Sequence, residues 1–217
     1  MDDSARTLVS YRTIRDPVYI EIVEKKSRFL CGLYPATSEQ EALQHLALAR
    51  KEHWNASHHC SAFRLRDGTE RASDDGEPSG TAGRPMLHVL TQQRVTDIMA
   101  VVTRYFGGVL LGAGGLVRAY GGAVAHALAQ TEQIAYEPHD SYRFSLQYSQ
   151  YDLAQSLFAN QAWQLTADFG DHVSCQLIAP ATDRPTVTAL IVRLTHNREA
   201  AVPVASTLQP LRRRANS

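Results

Sequence analysis

The sequence predicts an α+β protein of two domains, one over residues 1–137 and one over residues 138–217. Three observations carry this. A chain of 217 residues suits two modest domains better than one very large one. The apolar period switches repeatedly between two and about 3.6 residues along the chain. Beyond Pro138-His139, read as a linker, the periods follow the order βαββαβ, which is the ferredoxin-like split unit with an antiparallel sheet under two helices.

In chain order, Val18–Val23 and Arg28–Tyr34 are strand-like and are separated by the charged turn Glu24-Lys25-Lys26. Ser38-x-x-Glu41 is a capping box, and Leu43, Leu46, Ala47 and Arg50 give the following helix its inward stripe through about Glu52. His59–Leu65 reads as a strand ending at the turn Asp67-Gly68. Residues Arg71 to Pro85 carry Ser, Asp, Gly, Glu, Thr and Pro, so they are expected to be a loop. Pro85–Gln92 suits a short helix, and Val95–Phe106 is apolar enough to be a central strand. Leu116, Tyr120, Val124 and Leu128 recur every fourth residue and mark a helix over Gly114–Gln133. Its internal Gly121 and Gly122 imply the close approach of another backbone. In the tail, Tyr142, Phe144, Leu146 and Tyr148 alternate as a strand, and Leu153, Leu157 and Phe158 suit a helix capped by Ser149. Trp163, Leu165, Ala167 and Phe169 alternate again, as do Val173, Cys175 and Leu177. A helix capped by Thr182 or Asp183, with Pro185 in its first turn, and a strand over Val202–Leu208 complete the pattern.

Composition narrows the function. Hydrophobic residues make up 44% and charged residues 20%, which excludes a disordered chain or a membrane span. Lys+Arg and Asp+Glu both number 22, so any binding of nucleic acid rests on a local patch. The run Arg212-Arg213-Arg214 is the one cluster of like charge, and it reads as a solvated tail. The three cysteines are odd in number and unpaired in spacing, which fits a reducing compartment. With no signal-like start at Met1-Asp2-Asp3, a cytoplasmic location is expected.

Two stretches can carry chemistry. The run Arg104-Tyr-Phe-Gly-Gly-Val-Leu-Leu-Gly-Ala-Gly-Gly115 leaves a buried strand and enters a helix. Glycines there let backbone N–H groups approach a ligand, and the helix start adds partial positive charge, so phosphate is one natural guest. The spacing matches neither the dinucleotide fingerprint nor a P-loop, and tight strand–helix packing explains the glycines equally well. The second stretch, Ser73-Asp-Asp-Gly-Glu-Pro-Ser-Gly-Thr-Ala-Gly83, carries Asp74, Asp75 and Glu77. These carboxylates suit a hard cation, a helix cap, or partners for Arg104 and Arg118; the last two are favoured, since the alternating ligands of a Ca²⁺ loop are missing. In His58-His59-Cys60, adjacent strand residues point to opposite faces, so a shared metal site is not expected. No nucleophile elbow is present, and Ser79 and Thr81 have no base near them in sequence.

Lys26-Ser-Arg-Phe29, Ser57-His-His-Cys-Ser-Ala62, the Ser73–Pro85 block and Val101–Tyr120 together resemble the IMPACT family, in particular its bacterial YigZ-like branch. The resemblance spans most of residues 18–134, whereas the tail matches in pattern only. It implies an N-terminal domain of the ribosomal-protein type with a left-handed βαβ crossover, joined to a ferredoxin-like domain, both similar to parts of elongation factor G. Eukaryotic members of the family restrain a translation-control kinase with the help of an additional N-terminal domain that this sequence does not carry, so that partner is not expected here. The same superfold houses small-molecule kinases, but their Ser/Thr-rich loop end is replaced by Gly114-Gly-Leu.

The resulting expectation is a non-catalytic protein that binds RNA or the ribosome and regulates translation, with no cofactor and no metal. Its phosphate-binding surface would be Arg104, Tyr105, Phe106, Gly107, Gly108, Gly112, Gly114, Gly115 and Arg118. The loop Asp74, Asp75, Glu77, Thr81 and Gly83, with His58, would support it. The alternatives are an enzyme acting on a nucleotide or phosphorylated metabolite, with Asp74, Asp75 or Glu77 holding Mg²⁺ or acting as base, and a protein-interaction scaffold.

Overall fold

A computed structural model describes residues 8–159, 161–196, 198 and 201–211. The basic run Arg212–Arg214 lies outside them. The chain is α+β with two sheets and divides into two compact units, Tyr11–Ile134 and Ala135 onward, the second joined by Leu8–Ser10.

The first unit opens with β1 (Tyr11–Ile14), which buries Ile14 and ties Thr13 Oγ1 to the Asp97 carbonyl at 3.1 Å. The hairpin β2 (Val18–Glu24) and β3 (Ser27–Pro35) turns through Lys25 and Lys26, both in the left-handed region at φ 44° and 67°. Helix α1 (Glu39–Glu52) is capped as its sequence requires, with the Glu41 N–H donating to Ser38 Oγ. Its inward face is Ala42, Leu46 and Ala49, so of the predicted stripe only Leu46 is inward while Leu43, Ala47 and Arg50 are exposed. The reason is steric: two alanines let the helix lie close on the sheet where leucine would hold it off.

Strands β4 (His58–Arg64) and β5 (Glu70–Ser73) form a hairpin, so the expected loop begins only at Asp74. Helix α2 (Gly83–Gln92) and the almost wholly buried β6 (Ile98–Tyr105) follow, then α3 (Ala113–Ala129). The sheet order is β2-β3-β6-β4-β5 with every neighbour antiparallel. Strand β6 is thus inserted between β3 and β4, which run parallel to each other, and α1 makes the crossover between them.

Alternation divides the sheet into two faces. Ile20, Ile22, Phe29, Cys31, Leu33, Cys60, Ala62 and Val102 pack under α2 and α3. Met99, Val101 and Phe63 pack under α1.

Of the mid-helix glycines of α3, Gly121 does face another backbone, at the Pro85 carbonyl, but not closely enough to require glycine, and Gly122 faces none. A Cβ on Gly121 would make ordinary contacts with Val89 and Pro85 at 3.7 and 3.8 Å, and one on Gly122 would meet nothing within 4 Å. Gly122→Ala is therefore expected to stabilise the first unit by about 1 kcal/mol, read as a rise in urea midpoint at unchanged slope.

The second unit runs β7 (Gln133–Leu146), α4 (Tyr148–Phe158), β8 (Gln164–Phe169), β9 (Val173–Pro180), α5 (Arg184–Leu194) and β10 (Ala205–Pro210). A single 3₁₀ turn, Ala181–Asp183, precedes α5. Its strands lie in the order β8-β9-β7-β10, all antiparallel.

Pro138-His139 is part of β7 and not a linker. Pairing with β9 starts only at His139, so proline's missing N–H leaves no broken bond on that side. Tyr148 opens α4, where Gln147 and Gln150 form the capping box in place of Ser149. Asp183 precedes α5 without capping it, because its carboxylate accepts the Trp163 indole N–H at 2.8 Å. The final strand starts at Ala205, not Val202.

Candidate functional site: a carboxylate-stapled loop under a glycine-rich strand exit

The loop after β5 places its three carboxylates in three different tasks. Asp74 accepts the N–H groups of Gly80, Ala82 and Gly83 at 2.8, 3.0 and 2.8 Å and so caps α2 from a distance. Burial pushes its pKa up, but the three N–H groups outweigh burial and hold the carboxyl below its ordinary range. Asp75, at φ 44°, bridges Arg50 Nη2 at 2.6 Å and the His59 N–H at 2.7 Å, tying the loop to α1 and β4. Glu77 is buried, and its Oε1 accepts both Arg104 Nη1 and the Tyr120 hydroxyl at 2.7 Å. His58 Nε2 lies 3.9 Å from the same oxygen. A hard cation would have to displace protein donors from each of these groups.

Asp74 also sets a pH dependence. A carboxyl with a lowered folded pKa contributes stability that is full above the unfolded value of about 4 and is lost as pH falls through the folded one. Urea unfolding of wild type and Asp74→Ala at pH 6 and pH 3 should therefore give a stability gap that narrows at the lower pH.

The arginine expected on the surface is inside. Arg104 leaves β6 toward the α2–α3 face, only 5% exposed, with Nη2 on Ser27 Oγ at 3.3 Å and its guanidinium packed over the rings of Phe29 and Phe106. Its Nε has no partner among the described residues. Arg118 is exposed on α3, so the two arginines do not meet as one clamp.

The glycines separate into two kinds. Gly107, Gly115 and Gly83 stand where a Cβ would lie within 3 Å of Lys26, Leu111 and Ser73 respectively, which makes them packing glycines. Gly108 and Gly112 have φ of 80° and 76° with open space beside them. Gly114 also faces the open side, near only Arg118. The Phe106 and Gly107 N–H groups are taken by Ser57 and Ser27 hydroxyls, so they are not free for a ligand. No side chain caps the start of α3. Phe106 is half exposed, whereas Tyr105 is partly buried and holds its hydroxyl on His53 Nδ1 at 3.0 Å. Thr81 is buried with its hydroxyl on the Pro78 carbonyl.

In the His58-His59-Cys60 run, Cys60 lies under α2 and α3 while His59 faces α1, as strand alternation requires. Burial pushes the Cys60 thiol up to about 12, and its Sγ donates to the Asp74 carbonyl. Burial likewise raises the Tyr120 hydroxyl, helped by Cys60 and Glu77, so it remains a donor.

Sequence reasoning missed Tyr120, Ser27, Ser57 and Arg50. Tyr120 carried a signal, since a tyrosine in an aliphatic stripe needs a partner for its hydroxyl. The serines and Arg50 carried none, because their partners are remote in sequence.

Fold and site together define a two-unit α+β protein whose first unit braces a glycine-rich strand exit with a buried Arg–Glu–Tyr triad. Residues 25–128 match the family model described as the Impact N-terminal domain. IMPACT family member YigZ of Escherichia coli is 38% identical over 170 residues, covering 76% of this chain and 83% of that one. The chain therefore belongs to the IMPACT family. IMPACT family member YvyE of Bacillus subtilis is 54% identical over 123 residues, a match that spans 57% of its length. A crystal structure described as a hypothetical protein superimposes over 96% of this chain and 100% of its own, at 31% identity and a TM-score of 0.59. No helix among the described residues is long and apolar enough to cross a membrane.

Proposed function

We propose that the protein is a non-catalytic binder of RNA or of a ribosomal surface, acting on translation from the cytoplasm. The observation that supports this most is a groove of about 450 Å³ beside α3, where Lys25, Arg118 and His126 converge over a floor of Gly115, Ala119 and Gly122. Among the described residues lining it, Glu24 alone offsets the charges of Lys25 and Arg118. Phosphate neutralised by Lys and Arg releases counterions, so such a groove binds polyanions in a salt-dependent way. The uncapped start of α3 and the exposed Phe106 ring adjoin this strand exit and suit a phosphate and a stacked base.

This reading assigns the first unit to the ribosomal-protein type with a left-handed crossover at β3–α1–β4. It assigns the second to the ferredoxin-like type, in keeping with its βαββαβ order. It keeps the phosphate-contacting role for Arg118, adds Lys25 to it and gives Arg104 a bracing one.

The test is filter binding to RNA and co-sedimentation with ribosomes at low salt, comparing wild type with Arg118→Ala plus Lys25→Ala. Both positions are exposed, so the variant should fold. Affinity should drop, and the dependence of log affinity on log salt should become shallower by roughly 1.4–1.8 for two lost phosphate contacts. No association, or undiminished association in the variant, overturns the reading.

A further inference from the structure

The sheet face under α1 is only partly covered, and its uncovered half carries a second groove with a different chemistry. Helix α1 lies over β6 and β4. Beside it, β2 and β3 leave a groove of about 390 Å³, within the size range of small-ligand sites. Its floor is Gly32 and Thr103. Tyr34 folds back over Gly32 so closely that a Cβ there would lie 2.4 Å from the phenol oxygen. Tyr19 meets Tyr34 edge-on at 5.6 Å, and Tyr34 stacks on His45 at 4.3 Å and 14°.

The rim is acidic. Glu21 on β2 and Glu52 on α1 line the groove, and among the described residues no lysine or arginine does, although Lys51 lines the adjoining surface that Tyr19, Tyr34 and Glu52 share. Glu52 is 76% exposed and is 4.0 Å from the nearest His53 nitrogen, so its charge is open to solvent. Aromatic faces beside carboxylates attract a cation and repel phosphate.

The molecule already performs this recognition once, at Glu21 itself. Arg28 donates to both oxygens of Glu21, at 2.7 and 2.9 Å, while its guanidinium lies 5.4 Å from the centre of the Tyr105 ring. A carboxylate fork plus a tyrosine face is therefore a guanidinium holder in this fold. Glu52 with Tyr19 and Tyr34 repeats its elements with no arginine in place among the described residues.

We propose that this groove binds an arginine side chain presented by a basic peptide segment of a partner protein, using Tyr19 and Tyr34 as the aromatic wall and Glu52 as the counter-charge. The site lies on the sheet face opposite α3 and is independent of the RNA reading. An RNA strand is the competing occupant, because Tyr19 could stack a base. The Glu52 carboxylate disfavours it, Glu21 being already neutralised by Arg28.

The test uses fluorescence polarisation with a labelled hexapeptide of alternating arginine and glycine at low salt, against the same peptide with glutamate for arginine. Tyr19 is 68% exposed, so Tyr19→Ala and Glu52→Gln should keep the wild-type melting temperature. The arginine peptide should bind, more weakly as salt rises, and each variant should weaken it roughly fivefold or more. The glutamate peptide should not bind. Absence of binding, equal binding of the two peptides, or unchanged affinity in both variants overturns the proposal. So does a loss of RNA affinity in Tyr19→Ala with peptide affinity retained, which would assign the groove to a base.

Discussion

Glu77→Ala should destabilise the first unit by about 3–5 kcal/mol, the largest loss expected from any single truncation in the loop. Glu77 and Arg104 have side chains only 4% and 6% exposed, at 2.7 Å from each other. Truncating the carboxylate leaves a guanidinium in a dry site with one weak contact to Ser27, and it orphans the Tyr120 hydroxyl as well. Whole domains are stable by only about 5–15 kcal/mol, so much of the margin would disappear. Urea unfolding followed at two protein concentrations checks the size. The pair need not be a net source of stability, since a well-packed apolar pair of the same volume can do as well. Arg104→Met combined with Glu77→Gln should therefore recover part of the loss of either single change, giving a coupling well outside additivity. A Glu77→Ala variant within about 1 kcal/mol of wild type would mean that Arg104 has turned to solvent, and the bracing role would fall.

That triad also marks where the sequence is legible and where it is not. The β2–β3 hairpin, the Ser38 cap and the βαββαβ order of the tail were readable because each is encoded within about ten residues by period, turn chemistry or a cap. Strand β5 was not, since all four of its residues are exposed and an edge strand with no buried side chain has no alternation to read. Helix α1 was placed correctly in sequence and rotated wrongly in space, because leucine outweighs alanine in a hydrophobic count while close packing prefers alanine. At the site, the carboxylates were expected to pair with Arg104 and Arg118: Glu77 takes Arg104, but the other pairing differs. Asp75 takes Arg50, and Arg118 takes neither. Burial of Arg104 was hidden because strand position says which face a side chain takes and not how deep the neighbouring loop will cover it.

Gly107→Ala should cost about 3 kcal/mol or slightly more, the upper end of overpacking effects, because the clash is with backbone and cannot be relieved by a rotamer change. The added Cβ would lie 2.1 Å from both the carbonyl carbon and oxygen of Lys26 and 2.5 Å from the Ser27 nitrogen. The β2–β3 turn would have to withdraw, and with it the Ser27 hydroxyl that accepts the Gly107 N–H and contacts Arg104. Gly108→Ala is the contrasting change. It meets open space, and its penalty is the roughly 1–2 kcal/mol of a left-handed residue. The two readings of the glycine-rich run, phosphate cradle and tight packing, thus become separable residue by residue. If the run serves only packing, RNA affinity measured well below the melting temperature should be untouched by Gly108→Ala and should fall with Gly107→Ala only as far as the folded fraction falls. If the open stretch after Gly107 also meets phosphate, Gly108→Ala should weaken binding in protein that is still folded, since a side chain there stands between the backbone and its ligand.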